Sequence, residues 1–239
     1  MRLLTWNIDM APVSLEQRME AIARRVEALD PDVIALQEVT EKSQALLEQS
    51  PWFYGAQSIP RGPEDMHYYT MLYARDGFAT GERLAFKNSN MERDLVVGQA
   101  HGSSLEVASS HLESLSKHAD IRAVQFEAAM SRLSAASCAV FMGDMNLIAG
   151  VDEEPVLPSG WVDGWLACDK PESDGYTFDC ERNALARKYR TRLDRAYCRL
   201  GEVYRLATVE LVGTAQIAPG LYCSDHFGLV VELQESRDS

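Results

Sequence analysis

The sequence predicts an α/β fold in which two packed mixed sheets are flanked by helices. Three observations carry that prediction: short apolar runs of strand length, amphipathic helical segments between them, and strand pairs joined by polar turns that suit antiparallel neighbours. A single doubly wound sheet would accommodate the helices but not those pairs.

The elements follow in order. Residues 2–7 read as a strand, broken by Pro12 and Ser14, and Ser14 with Gln17 suggests a capping box. A helix is expected over 15–29, because Met19, Ile22, Ala23, Val26 and Leu29 recur at three- and four-residue spacing. Asp30-Pro31 ends it. The run Val33, Ile34, Ala35, Leu36 suits a strand buried on both faces, carrying Glu38 out at its carboxyl end, and a second helix is expected to follow to about residue 49. Strands are expected at 68–74, 95–100 and 105–110, separated by turn-rich segments such as Lys87-Asn88-Ser89-Asn90. A helix over 118–135 presents Phe126, Ala129, Met130 and Leu133 on one face, and the apolar run 138–142 ends in Gly143-Asp144. The loop-rich stretch 151–174, with Trp161 and Trp165, is a candidate cover for a site. Strands at 192–199, 203–212 and 227–233 complete the fold, and 234–239 reads as a polar tail.

Composition narrows the class. A 46% hydrophobic fraction in 239 residues suffices for one large core. A net charge of −13 disfavours gripping long nucleic acid by phosphate neutralisation, but leaves a terminus or a small phosphoester open. The exception is a basic run: Arg187, Lys188, Arg190, Arg192, Arg195 and Arg199 lie within thirteen residues beside the single acid Asp194. Such a run can be a solvated strand face; the candidate active-site acid inside it favours substrate binding. The five cysteines show neither C-x-x-C spacing nor a disulfide framework, and no signal peptide or membrane span is evident. A cytoplasmic monomer is expected.

Five polar motifs end or begin these strands: Trp6-Asn7-Ile8-Asp9, Leu36-Gln37-Glu38-Val39, Ser110-His111-Leu112-Glu113, Gly143-Asp144-Met145-Asn146 and Ser224-Asp225-His226. Carboxylates gathered at strand ends repel, at roughly 4 kcal/mol for unit charges about 4 Å apart in an effective dielectric of about 20. A hard divalent cation resolves the conflict, and the oxygen-rich donor set suits Mg²⁺ together with substrate phosphate oxygens. The expected chemistry is metal-dependent phosphoester hydrolysis. If Asn7 and Asp225 serve one site, residues 1–239 form one domain. In Gly143-Asp144-Met145-Asn146, side chains at i and i+2 of extended chain point the same way, so Asp144 can take a proton from a water that Asn146 orients. Isolated, the same four residues are more often a hydrogen-bonded turn. Asn7 and Glu38 are candidate metal ligands or neighbours, and Asp9 either joins them or is an exposed turn acid. His226, with Asp194 as partner, and His111 are candidate donors to a phosphoryl group. Zinc, nucleophilic-serine and P-loop signatures are absent.

Taken in this order, Trp6-Asn7, Leu36-Gln37-Glu38, Gly143-Asp144-Met145-Asn146, Arg192-Leu193-Asp194 and Ser224-Asp225-His226 resemble the endonuclease/exonuclease/phosphatase superfamily across nearly the whole chain. The resemblance implies a four-layer α-β-β-α sandwich of the deoxyribonuclease I type and in-line hydrolysis dependent on Mg²⁺, with Mn²⁺ as substitute. It implies Glu38 as direct metal ligand, with Asn7 and Asp225 as outer ligands or support. Asp144 then corresponds to the general base, Asn146 to the residue orienting water, His226 to the group stabilising the transition state, Asp194 to its orienting acid, and His111 to a second phosphate contact.

The segments Thr5-Trp6-Asn7-Ile8-Asp9, Leu36-Gln37-Glu38-Val39, His111-Leu112-Glu113-Ser114 and Ser224-Asp225-His226-Phe227-Gly228-Leu229 look most like the 5′-tyrosyl-DNA phosphodiesterases. That closer likeness implies a role in DNA repair and a single-stranded DNA 5′ end as partner, with Phe178 placed to stack on a base; the charge asymmetry of the basic run points to Arg190 and Arg192 as the groups that bind it. The chain departs from that pattern at Ile148, where the family usually has arginine, and at Thr177-Phe178-Asp179, where it has Thr-Trp-Asp. The alternatives are the same chemistry on a small phosphoester, a phospholipid head group or RNA, an apurinic-site endonuclease, and a non-catalytic binding module.

Overall fold

The computed structural model describes residues 1–62 and 66–236. In chain order its elements are β1 (Arg2–Asn7), α1 (Leu15–Leu29), β2 (Val33–Val39), α2 (Glu41–Leu47), α3 (Pro51–Gly55), β3 (Gln57–Ser58), β4 (Tyr69–Ala74), β5 (Phe78–Ala85), β6 (Asp94–Ala100), β7 (Glu106–His111), α4 (Ala119–Leu133), β8 (Ala139–Asp144), β9 (Val162–Asp163), β10 (Phe178–Asp179), β11 (Arg190–Thr191), β12 (Asp194–Arg199), β13 (Tyr204–Val212) and β14 (Gly228–Glu235). Two six-stranded sheets result, ordered β13-β14-β1-β2-β4-β3 and β5-β6-β7-β8-β12-β9, with β10 and β11 as a separate pair.

Each large sheet has one parallel pair among antiparallel neighbours: β1 with β2, and β7 with β8. Parallel neighbours need a crossover, and α1 and α4 supply it. The side-chain period of two then sorts the residues. In β1, Leu4 and Trp6 pack with Leu15, Met19, Ile22 and Val26 of α1, whereas Leu3 faces the other sheet. In β8, Ala139 and Phe141 pack with Phe126, Ala129 and Leu133 of α4, whereas Val140 and Met142 face inward. The fold is therefore a four-layer α-β-β-α sandwich, with its middle core formed between the two sheets.

Helix α1 spans the expected residues, but Ser14 makes no side-chain cap and has a left-handed backbone. Its entry is held by Arg18, whose guanidinium donates to the carbonyls of Ile8, Asp9 and Val13. The capping box lies instead at α2, between Thr40 and Ser43. The second helix, expected to about residue 49, ends at Leu47, and Pro51 starts the separate α3. β5 carries no sequence signal because its residues are largely exposed and do not alternate. The 151–174 stretch lies along the second sheet's edge, where β9 pairs with β12 and Trp165 enters the middle core. Of the expected polar tail, Gln234 and Glu235 belong to β14 and pair with Arg205 and Tyr204; residues 237–239 lie outside the described residues. No described helix is long and apolar enough to cross a membrane.

Candidate active site

The inward faces that build the middle core turn polar at one end. On β1 the inward series Leu3, Thr5 ends in Asn7; on β8, Val140, Met142 ends in Asp144; on β12, Cys198, Ala196 ends in Asp194. Because β8 and β12 are antiparallel with Asp144 opposite Asp194, the end of one strand meets the start of the other. Below them, Gln37 Nε2 of the first sheet donates to Ser109 Oγ of the second at 3.0 Å and to Thr5 Oγ1 at 3.1 Å, tying the sheets together.

Gly143 is fixed by contact between backbones. Its φ is +149°, and a Cβ here would lie 2.2 Å from the Ser110 carbonyl oxygen, so a side chain would separate β7 from β8. Glu38 has a φ of 58° at the irregularity between Leu36 and Val39, a bulge that aims its carboxylate at the site. Asn146 is left-handed too, with a φ of 51°, so the extended i, i+2 geometry expected from the sequence is not what joins it to Asp144. Instead its backbone N–H donates to Asp144 Oδ1 at 2.9 Å, and its Nδ2 donates to the Leu112 carbonyl at 3.0 Å.

Asn7 Nδ2 donates to Asp144 Oδ2 at 2.9 Å and to Glu38 Oε1 at 3.2 Å, joining two carboxylates. Its Oδ1 accepts the Asp9 amide at 3.0 Å and retains a second lone pair. His226 Nδ1 lies 2.7 Å from Asp194 Oδ2, and its Nε2 lies 4.0 Å from Asp144 Oδ2. Trp6 Nε1 donates to the His226 carbonyl at 3.0 Å, and Ser224 Oγ donates to the Asn7 carbonyl at 2.7 Å, which locks the Ser224-Asp225-His226 turn onto β1.

Charge states follow from these contacts. Burial works against the His226 cation, but the Asp194, Asp225 and Asp144 carboxylates outweigh it and hold the imidazolium well above the usual histidine range. Burial pushes Asp144 up to about 6, with Asp194 adding to the shift and His226, Asn7 and the Asn146 amide opposing it. His111 goes the other way: burial, then the cations of Arg93 and His226, keep it neutral. Its Nε2 is 3.3 Å from Asp144 Oδ2 and its Nδ1 is 3.1 Å from Arg93, so Nδ1 accepts from the guanidinium while Nε2–H points at Asp144.

Ligand atoms of Asp144, Asp194 and His226 lie within 4.8 Å of one another. That group is a poor cation site, because an imidazolium hydrogen-bonded to a carboxylate has no lone pair to give. The hard-oxygen set is Glu38, Asn7, Asp225 and Asp9. Asp225 is pushed up to about 6, first by burial and then, against the opposing pull of His226, by the carboxylates of Asp9 and Glu38. Mutually repelling oxygens at a bulged strand end are the donor chemistry a divalent cation relieves, so these residues fit one.

Phe178 contacts His226 edge to face, with centroids 5.0 Å apart, and lines a cavity of about 400 Å³ with Asp9, Arg18, Leu185, Arg187 and Asp225. The expected phosphate-binding arginines are otherwise engaged. Arg192 is buried and paired with Asp163. Arg190 pairs with Asp179 at 3.1 Å and Glu181 at 2.7 Å, and Arg195 makes a two-pronged pair with Glu154 at 2.7 and 2.9 Å. Arg187 is the member of the run that lines the cavity. Residues the sequence did not single out also belong here, Arg93 against His111 and Asn183 Nδ2 donating to the Ser224 carbonyl at 2.9 Å, and Thr177 of the Thr177-Phe178-Asp179 motif accepts the Asp194 amide on its Oγ1 at 3.0 Å.

Comparison with known proteins agrees with this architecture. The model of the endonuclease/exonuclease/phosphatase family matches residues 4–226. Mus musculus tyrosyl-DNA phosphodiesterase 2 is 30% identical over 247 residues, which cover 96% of this chain and 65% of that protein. The chain thus spans about 65% of the length of this curated relative. A crystal structure of humanized D. rerio TDP2 superposes with a TM-score of 0.85 at 26% identity, covering 98% of each chain. The fold also matches D. rerio TDP2 complexed with single strand DNA product, at a TM-score of 0.87 and 24% identity, again over 98% of each chain. The chain belongs to the endonuclease/exonuclease/phosphatase family.

Proposed function

We propose that this protein is a divalent-cation-dependent phosphodiesterase that hydrolyses a phosphodiester at a DNA 5′ end by in-line attack of water. The observation that carries the reading is the setting of Asp144, buried at the end of β8 with Asn7, the Asn146 amide and His111 on its oxygens and the Asp194-paired His226 beside it, its carboxyl pushed up to about 6 by burial. A base that is ionised at neutral pH yet still basic suits abstraction of a proton from water.

In this reading Asp144 accepts the proton as the water oxygen bonds to phosphorus and the bond to the leaving oxygen breaks on the opposite side. Asn146, anchored by its bond to Leu112, orients the water. The His226 imidazolium, held by Asp194, stabilises the negative charge that builds on the phosphoryl oxygens, and His111 serves as a further polar contact. Glu38 would hold the cation directly, with Asn7 and Asp225 supporting it, and hard oxygen donors favour Mg²⁺ with Mn²⁺ as substitute. When bound, that cation supplies positive charge to the phosphate oxygens.

DNA enters from the relatives, a tyrosyl-DNA phosphodiesterase 2 and one of its kind bound to single strand DNA product, and the 5′ end from the resemblance of the sequence motifs. Phe178 supports it by offering an aromatic face for a base, a contact worth about 1 to 3 kcal/mol and tolerant of base identity. Arg187, in the same cavity, is the candidate phosphate contact in place of Arg190 and Arg192. The engagement of those two in internal ion pairs is what favours the second reading, the same chemistry on a small phosphoester. A cytoplasmic monomer forming one domain completes the proposal; the five free cysteines among the described residues support the reducing compartment.

The test is a parallel assay with Mg²⁺ on a 5′-phosphotyrosyl oligonucleotide, an abasic duplex, RNA and a small aryl phosphodiester. Preferential release of a 5′-phosphorylated oligonucleotide supports the first reading. A rate on the aryl diester equal to or above that on the oligonucleotide supports the second.

A further inference from the structure

Glu113, third in the motif His111-Leu112-Glu113-Ser114, is wholly buried and lies outside the catalytic set described above. A carboxylate removed from water needs donors, since burying it unpaired costs several kcal/mol. Here they come from the loop between β5 and β6. The Ser89 hydroxyl donates to Oε2 at 2.8 Å and the Asn90 amide donates to Oε1 at 2.9 Å. Gln125 of α4 completes the shell, its Nε2 donating to Oε2 at 3.3 Å while its Oε1 accepts the Glu113 amide at 2.8 Å. The His118 ring lies farther away, at 3.9 Å.

The loop held in this way delivers Arg93. While donating to Glu113, the Ser89 oxygen accepts the Arg93 amide at 2.8 Å and the Met91 amide at 3.1 Å, which fixes the backbone just before β6. From there the guanidinium reaches His111 Nδ1 at 3.1 Å and Ser114 Oγ at 2.9 Å, above the Tyr68 ring at 5.1 Å. His111 in turn meets Asp144 at 3.3 Å.

We propose that Glu113 is a positioning residue: through the Ser89 hydroxyl it sets the loop that carries Arg93, and through Arg93 it sets the His111 ring against Asp144. Its effect on rate rests on Asp144 being the base, but the placement of Arg93 is measurable without turnover. The charged groups facing His111 are Arg93 from the β5–β6 loop, Asp144 from β8 and His226 from the turn before β14. Withdrawing the Arg93 cation therefore makes His111 easier to protonate.

The experiment follows the His111 ring resonances by NMR across pH in the wild type, Ser89→Ala, Ser89→Thr and Glu113→Gln, with kcat and KM on a small aryl phosphodiester measured in parallel. Ser89 is half-buried at the surface, so its variants test the link without emptying the core. Ser89→Ala and Glu113→Gln are expected to raise the His111 pKa by about one unit and to lower kcat about tenfold with KM within about twofold. Ser89→Thr, which keeps the hydroxyl, is expected to restore both. An unchanged His111 titration in Ser89→Ala and Glu113→Gln overturns the proposal even if Glu113→Gln melts earlier. So does a shifted titration with unchanged kcat, or a Ser89→Thr variant that behaves like Ser89→Ala. Should the wild type cleave neither the diester nor a 5′-phosphotyrosyl oligonucleotide, the phosphodiesterase reading falls and the titration alone decides this one.

Discussion

Asp194 stands directly opposite Asp144 across the antiparallel pairing of β12 and β8, and the His226 ring lies between their carboxylates. Two inward-facing acids on adjacent strands would repel at low dielectric; an imidazolium between them relieves that repulsion and is itself stabilised by both. The proposed base and the proposed charge-stabilising cation are thus brought together by one strand register.

Asp144→Asn is expected to lower turnover at least about a thousandfold while the protein stays folded, because the amide keeps the side chain's shape but cannot take a proton. Circular dichroism and a thermal melt check the fold, and single-turnover cleavage checks the chemistry. Near wild-type turnover would remove Asp144 from the role of base.

The pH profile should be bell-shaped. Below about 6 Asp144 is protonated and cannot act, so activity falls on the acid side. On the alkaline side activity falls as His226 loses its proton, at a value above the ordinary histidine range. Asp194→Asn removes the carboxylate hydrogen-bonded to that cation, so the alkaline limb should move to lower pH and the bell narrow. An unmoved alkaline limb would separate His226 from the profile.

Stability should show the same charges. Asp144 and Asp225 have folded values raised from 3.8 to about 6, so their contribution is present below the unfolded value and is lost as pH rises through about 6. His226, also raised, loses its contribution as pH rises through its own folded value. In EDTA the melting temperature should therefore fall between pH 4 and pH 7, and Mg²⁺ should raise it more at pH 8 than at pH 5. An equal rise at both values would argue against a cation among these carboxylates.

The arginines should divide into two classes. Arg192→Ala removes the near partner of Asp163, leaving Arg195 at 3.8 Å, and is expected to cost about 3 kcal/mol of stability in a denaturant titration. Arg187→Ala should leave stability nearly unchanged and raise KM for an oligonucleotide but not for a small diester. With so few free cations at the cavity, log K for a single-stranded end should change with log salt at a slope of about −0.7 per phosphate contacted, for one or two phosphates. A much steeper slope would mean that a cationic track elsewhere holds the strand.

The sequence displayed what is local. The apolar period placed α1, and continuous apolar runs ending in Asn7, Glu38 and Asp144 marked strands emptying into one site. What it concealed depends on pairings distant in the chain. Arg93 meets His111 only through the β6–β7 hairpin register, and Arg192 looked available to a substrate because Asp163 comes from β9, a two-residue strand too short to show a periodic signature. The left-handed backbone of Glu38 was hidden too, since nothing in Leu36-Gln37-Glu38-Val39 announces a bulge.

The central claim is that Glu38, Asn7 and Asp225 gather a divalent cation beside Asp144 so that water strikes phosphorus. It is tested most directly by a single turnover of 5′-phosphotyrosyl oligonucleotide in ¹⁸O-labelled water, after EDTA treatment, with and without added Mg²⁺. One ¹⁸O in the 5′-phosphate of the product, formed with Mg²⁺ and lost in Glu38→Gln, is the predicted result. Undiminished cleavage in EDTA, or a labelled leaving group instead of labelled phosphate, would contradict it.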